Sequence, residues 1–179
     1  HYDTISAFIK SVRGSDPDAA LFWLAKMLKG GETPEFIARR ILILASEDIG
    51  NADPNALPLA VATASAVERL GLPEARFALS QATIYLSAAP KSNAAGVALD
   101  AATKSIVEGA DLTVPQHLRI VGHTKLASPE SNEGHYRYPH DYPGNYVDQT
   151  SIPPSQLFHP SPGLAYDHGP SPYPHDSPD

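Results

Sequence analysis

No cysteine occurs in the 179 residues. That excludes disulfides and thiolate-bound metal sites, and it suits a reducing compartment. No apolar run approaches the roughly 18 residues that cross a bilayer as a helix, and no secretory leader pattern is visible. Tryptophan and methionine occur once each. Basic charge is scarce too, with 13 Lys and Arg against 20 Asp and Glu for a net charge of −7. A strongly nucleic-acid-binding domain carries a basic face that pairs with phosphates, and bulk composition supplies none. The phosphate-cradling signatures G-x-x-x-x-G-K-[ST] and G-x-G-x-x-G are missing, so this chain is not expected to hydrolyse ATP alone. Nucleophile signatures such as G-x-S-x-G and S-x-x-K are missing as well, and serines such as Ser80 and Ser92 are read as structural.

What is present divides into two regions of different grain. Six of the 18 prolines fall in residues 1–114 and 12 in residues 115–179. The first region is rich in Ala and Leu with helical periodicity; the second is rich in Pro, His and Tyr and keeps no period. In the first region Asp16-Pro17, Thr33-Pro34 and Asp53-Pro54 each put a capping side chain before a proline suited to the first helical position. Pro73 reads the same way without a good cap ahead of it, and Gly30-Gly31, Gly50 and Gly71 are the stop signals.

Six helices are predicted between these marks, at about 3–12, 17–29, 34–48, 54–70, 73–88, and from Ser92 to about Gly109. The first turns Ile5, Phe8, Ile9 and Val12 inward. The second has a stripe of Leu21, Leu24, Ala25 and Leu28, widened by Phe22, Trp23 and Met27. The third faces inward with Ile37, Ile41, Leu44 and Ala45. Helices four and five are rich in small residues, which permits close packing. No segment alternates with period two for long enough to make a strand. The expectation is an all-α bundle of about six helices with antiparallel neighbours, followed by an extended Pro/Tyr-rich strap and tail.

Chemistry-bearing residues concentrate in SNEGHYRYPHDYPGNYVDQ at 131–149. His135, His140 and Asp141 are the best metal candidates, with His117 and His123 upstream. His135 and His140 stand five apart in a proline-containing segment, so no helix presents them on one face as a zinc-protease motif would. His140-Asp141 also resembles the metal-binding pair of HD-type phosphohydrolases, but further ligands at recognisable spacing are lacking. A metal-dependent hydrolase using His135, His140 and Asp141 is therefore one alternative. A second is a DNA-binding module using Lys10, Arg13, Lys26, Lys29, Arg39 and Arg40, a cluster that Asp3, Asp16, Asp18, Glu32 and Glu35 nearly cancel. Arg40 and Glu47 lie two turns apart on one side of helix three, and Arg40 suits a bidentate carboxylate contact at an interface. Trp23 is read as a core residue or interface anchor.

Three long motifs carry a resemblance: HYDTISAFIKSVRGSDPDAALFWLAKML at 1–28, PEFIARRILILASEDIG at 34–50 and PKSNAAGVALDAA at 90–102. With VPQHLR at 114–119, TKL at 124–126 and YRYPHDYPGNYVDQ at 136–149, they resemble the C-terminal region of the replication-associated recombination protein A family (RarA, also called MgsA), which includes the Werner-helicase-interacting protein. Residues 127–134 and the tail after Gln149 depart from the family pattern. The resemblance implies a fragment of a longer protein, which starts at His1 within a motif. It implies that an ATPase core related to clamp loaders, with its ATP and Mg, lies outside the chain, and that no cofactor is held here. The chain itself would be a collar-like oligomerisation domain, non-catalytic, that assembles a homotetramer. The parent would act at stalled replication forks in replication, recombination and repair, contact DNA and single-stranded-DNA-binding protein, and be cytoplasmic and nucleoid-associated.

On this view residues 1–114 form the helical oligomerisation domain, 115–149 a docking segment of the same domain, and 150–179 a Pro-rich extended tail. Tyr136, Tyr138, Tyr142 and Tyr146 offer large apolar bodies with a hydroxyl each, as a docking strap would. His140 and Asp141 are expected to form a structural hydrogen-bonded pair, and Pro143-Gly144 a type II turn. Helices four and five and the aromatic face of helix two are the expected interface, and Phe158 and Tyr166 are expected to anchor the tail.

Overall fold

Segments rich in Ala and Leu and bounded by Pro and Gly become helices. The computed structural model describes residues 2–119, 136–149 and 151, and among these every regular element is helical. The elements are α1 (Tyr2–Arg13), α2 (Pro17–Lys29), α3 (Pro34–Leu44), α4 (Ala56–Leu70), α5 (Ala75–Ala88) and α6 (Ala94–Val107). Short 3-10 turns follow at Gln116–Leu118, Pro139–Asp141 and Pro143–Asn145. The chain divides into two compact units, one running to Ala98 and one beginning at Leu99.

In the first unit two caps act as the sequence predicts. The Asp16 carboxylate accepts the Ala19 N–H at 2.9 Å, and the Thr33 hydroxyl oxygen accepts the Phe36 N–H at 3.3 Å. Each satisfies a donor that the first helical turn leaves open. The third differs. Helix α4 starts at Ala56 and not at Pro54: the Asp53 carbonyl takes the Ala56 N–H at 3.1 Å in a turn ahead of the helix, while its carboxylate accepts the Asn55 N–H at 3.0 Å on one oxygen and the Tyr85 hydroxyl at 2.6 Å on the other. Without a side-chain cap, α5 likewise starts at Ala75, two residues later than predicted.

Helix three also changes character at its end. The α-helix stops at Leu44 and continues as one π-helical turn, Ala45–Ile49. Gly50 then takes a φ of 51°, and a Cβ there would meet the Ser92 carbonyl oxygen at 3.1 Å. Both constraints favour glycine. The predicted inward face of helix three is correct, since Ile37, Ile41, Leu44 and Ala45 are all buried. Helix two is rotated from its predicted stripe: Ala20, Leu24 and Met27 are buried, and Ala25 faces water.

The core of this unit is built from Phe8, Val12, Ile37, Ile41, Leu44, Ile49, Leu79 and Leu86. Helix α5 is its hub, packing against α1, α2, α3 and α4. Four neighbours fit because α5 buries Ala75, Ala82, Thr83 and Ser87 beside Leu79 and Leu86. The Thr83 and Ser87 hydroxyls donate to the carbonyls one turn back at 2.8 and 2.7 Å, so no hydroxyl is buried unpaired. The described residues contain no helix long and apolar enough to cross a membrane.

Candidate assembly surface

Three segments far apart in the sequence converge on one polar clasp. Arg13, at the end of α1, donates through Nε to Asp48 Oδ1 at 2.5 Å, and its Nη2 lies 3.6 Å from Glu47 Oε1. Asp48 is buried, whereas Arg13 remains half in water. Two adjacent carboxylates hold the guanidinium and push its pKa up, chiefly through the Asp48 hydrogen bond. The Asp48 carbonyl accepts the Ser92 N–H at 2.8 Å. Beside it, Lys91 Nζ donates to the carbonyls of Ala89 (2.6 Å) and Ser87 (2.9 Å) and to the Ser15 hydroxyl (3.0 Å). Burial holds the Lys91 pKa below its ordinary value. The clasp ties the SEDIG and PKSN stretches to the end of α1, and sequence reasoning missed it. The available signal was the Glu47-Asp48 pair at a helix end, which needs a cation nearby. Arg13 supplies it, so Glu47 is drawn to Arg13 and not to Arg40, and Arg13 is withdrawn from the basic cluster at 10–40.

Trp23 is half-buried against the core, with the Phe22 ring edge-on at 5.1 Å and Lys26 Nζ 5.1 Å from its ring centre. Phe22 itself is exposed. Arg40 is half-buried, and its Nε is buried without a hydrogen-bond partner among the described residues.

The tyrosine segment is a closed loop. The Gln149 side-chain amide accepts the Arg137 N–H at 3.1 Å and donates to the Arg137 carbonyl at 3.0 Å, and the Arg137 guanidinium donates to the Asp148 carbonyl. Within it, Gly144 (φ 69°, ψ 9°) and the Asn145 N–H to Tyr142 carbonyl bond at 3.0 Å make the type II turn predicted at Pro143-Gly144. The expected His140–Asp141 bond is replaced. His140 Nδ1 lies 3.2 Å from Asn145 Oδ1, because the 3-10 turn at 139–141 leaves the Asp141 side chain exposed. Tyr136, Tyr138 and Tyr146 are more than half exposed and Tyr142 is half-buried. No group of three metal-binding side chains forms among the described residues. His123, His135, Phe158 and Tyr166 lie outside those residues.

Large apolar side chains remain in water on several helices of an otherwise closed core: Leu57 and Val61 on α4, Phe77 and Ile84 on α5, Leu99 and Ile106 on α6. The class defined so far is an all-helical domain with a polar clasp and uncovered apolar faces. The chain belongs to the family of MgsA AAA+ ATPase C-terminal domains, whose model matches residues 14–163. It is 55% identical over 157 residues to a AAA domain-containing protein of Mycobacterium tuberculosis, covering 88% of this chain and 34% of that protein. It is 47% identical over 146 residues to replication-associated recombination protein A of Escherichia coli, covering 82% and 32%. The ATPase WRNIP1 of Dictyostelium discoideum is 38% identical over 161 residues, covering 90% and 18%. The chain thus spans about a third of the first two relatives and less than a fifth of the third. It corresponds to the C-terminal domain of a AAA+ ATPase family of replication and recombination proteins.

Proposed function

We propose that the chain is the assembly domain of a AAA+ ATPase acting in DNA replication, recombination and repair at stalled forks. It joins the ATPase modules into a homotetramer and performs no catalysis itself. ATP and Mg are bound by the ATPase part, and the whole protein contacts DNA and single-stranded-DNA-binding protein in the cytoplasm, at the nucleoid. The observation that carries the assembly role is the set of large apolar side chains left in water by α4, α5 and α6 beside an already closed core. Exposed large apolar side chains mark association sites where they gather into a patch, and closed symmetric assemblies reuse one patch on every copy. That the E. coli relative is a replication-associated recombination protein supports the cellular role. Trp23 with Phe22, the half-buried Arg40 with its free Nε, and the exposed tyrosines of the closed loop supply aromatic and guanidinium groups of the kind that anchor interfaces. In the loop, His140 lies against the Asn145 side chain at 3.2 Å.

Light scattering tests the reading. A particle four times the 19.1 kDa of the chain at tens of micromolar is the expected result. A monomer at that concentration overturns it.

A further inference from the structure

Four of the apolar residues of α6 are spaced for another helix. Ala95, Leu99, Ala102 and Ile106 follow one another at intervals of four, three and four, the spacing of a coiled-coil seam. At 3.6 residues per turn they fall within an arc of about 60°. Leu99 is 68% and Ile106 55% exposed, and the only buried residue of α6, Ala94, lies outside this stripe. We infer that the stripe packs antiparallel against the same stripe of a second copy of this chain, across a two-fold axis. The inference rests on the assembly role proposed above and names the contact.

Three observations select that occupant. The first is size. An axis passing between residues 100 and 101 sets Ala95 opposite Ile106 and Leu99 opposite Ala102. Every large side chain then meets a small one, which fills space at interior density. A parallel in-register pair would set Leu99 against Leu99 and Ala102 against Ala102, so that its alanine layers would be left underfilled.

The second is charge. The positions flanking the stripe are Gly96, Ala98, Thr103 and Ser105, so a second copy meets no like charge. Asp100 and Lys104 project from other sides of the helix, and Lys104 is paired with Glu108 at 3.7 Å. The third is polar satisfaction. The Thr103 hydroxyl donates to the Leu99 carbonyl at 2.9 Å, so covering it strands no donor. A Cβ at Gly96 would meet nothing within 4 Å, which leaves room for a neighbouring backbone to come close. Eleven residues of helix extend about 16 Å, so the seam sets register within a larger contact surface.

The chain lacks cysteine, so single thiols report cleanly. The test uses two variants of the 179-residue chain, Ala95→Cys and Ile106→Cys, prepared singly and co-expressed, then oxidised with diamide. The expected result is a covalent dimer from the co-expressed pair and none from either variant alone. Cross-linking of either variant alone at the yield of the pair overturns the antiparallel seam. So does failure of the pair to cross-link while the unmodified chain is larger than a monomer; assembly then uses another face and the assembly role survives. A monomeric unmodified chain sinks the role and the seam together. Leu99→Glu should cut the particle mass by half or more with the helical signal unchanged, whereas an unchanged mass counts against the seam.

Discussion

Helices α5 and α6 are both 14 residues long and both rich in alanine, but α5 buries six of its residues and α6 buries one. In α5 the alanines and small hydroxyl residues sit where α1, α2, α3 and α4 press in, and Leu79 and Leu86 fill what remains. In α6 the alanines alternate with Leu99 and Ile106, which stay in water. The same composition therefore serves two ends. Apolar spacing on a helix says that a face requires cover, and only the arrangement of the rest of the chain says whether this chain provides it. Where the described residues do not, the face is left open to a partner.

The sharpest way to test this contrast is to truncate one leucine in each helix. Leu79→Ala opens a cavity in a closed core and should cost about 2–5 kcal/mol, read from urea unfolding, enough to threaten a marginally stable domain. Leu99→Ala removes an exposed side chain and should change the unfolding of the dissociated chain by less than about 0.5 kcal/mol, while shifting the concentration dependence of the particle mass. If both cost the same at high dilution, α6 is covered within the chain and the contrast fails.

The next effect lies in the clasp. Arg13→Met leaves the buried Asp48 carboxylate without its cation. A fully buried pair would lose about 3–5 kcal/mol on such a change. Arg13 is half in water, where solvent screens the pair, so a loss of about 1–2 kcal/mol is expected. Adding Asp48→Asn should recover part of that loss, because no stranded charge remains. Lys91→Met should cost about 1 kcal/mol through the freed carbonyls at the end of α5. Thermal melts at equal concentration read all three. Equal melting points for Arg13→Met and the unmodified chain would reduce the clasp to surface decoration.

Much of the fold was legible before any coordinates. Asp16 and Thr33 announced two helix starts because a capping oxygen acts on donors two or three residues away, and the inward face of helix three followed from spacing alone. What escaped depends on contacts across the chain. The Tyr85 hydroxyl on Asp53, from 32 residues further on, could not be read from the sequence. Helix two turned Ala25 outward because its neighbours prefer Ala20, Leu24 and Met27. The clasp escaped because Arg13, Asp48 and Lys91 belong to three separate segments. For the candidate surface, the tyrosines were visible in the sequence, but the Gln149–Arg137 closure that presents them was not. A glutamine carries no signal of a partner 12 residues away.

The smallest effect concerns the Tyr85–Asp53 bond. The phenol donates to the carboxylate, so the bond holds the Asp53 pKa below its ordinary 3.8 and raises the Tyr85 pKa above its ordinary 10.0. A carboxylate with a lowered folded pKa adds stability that is present above its unfolded value and lost as pH falls through the folded one. A phenol with a raised folded pKa adds stability that is present below its unfolded value and lost as pH rises through the folded one. The bond therefore contributes across the span between those limits and fades at both ends. Both groups face water, so its contribution is small at every pH. Tyr85→Phe should lower the melting temperature slightly at pH 7, and the difference from the unmodified chain should shrink below pH 4. A difference that stays constant down to pH 2.5 would mean that Tyr85 acts through ring packing and not through this bond.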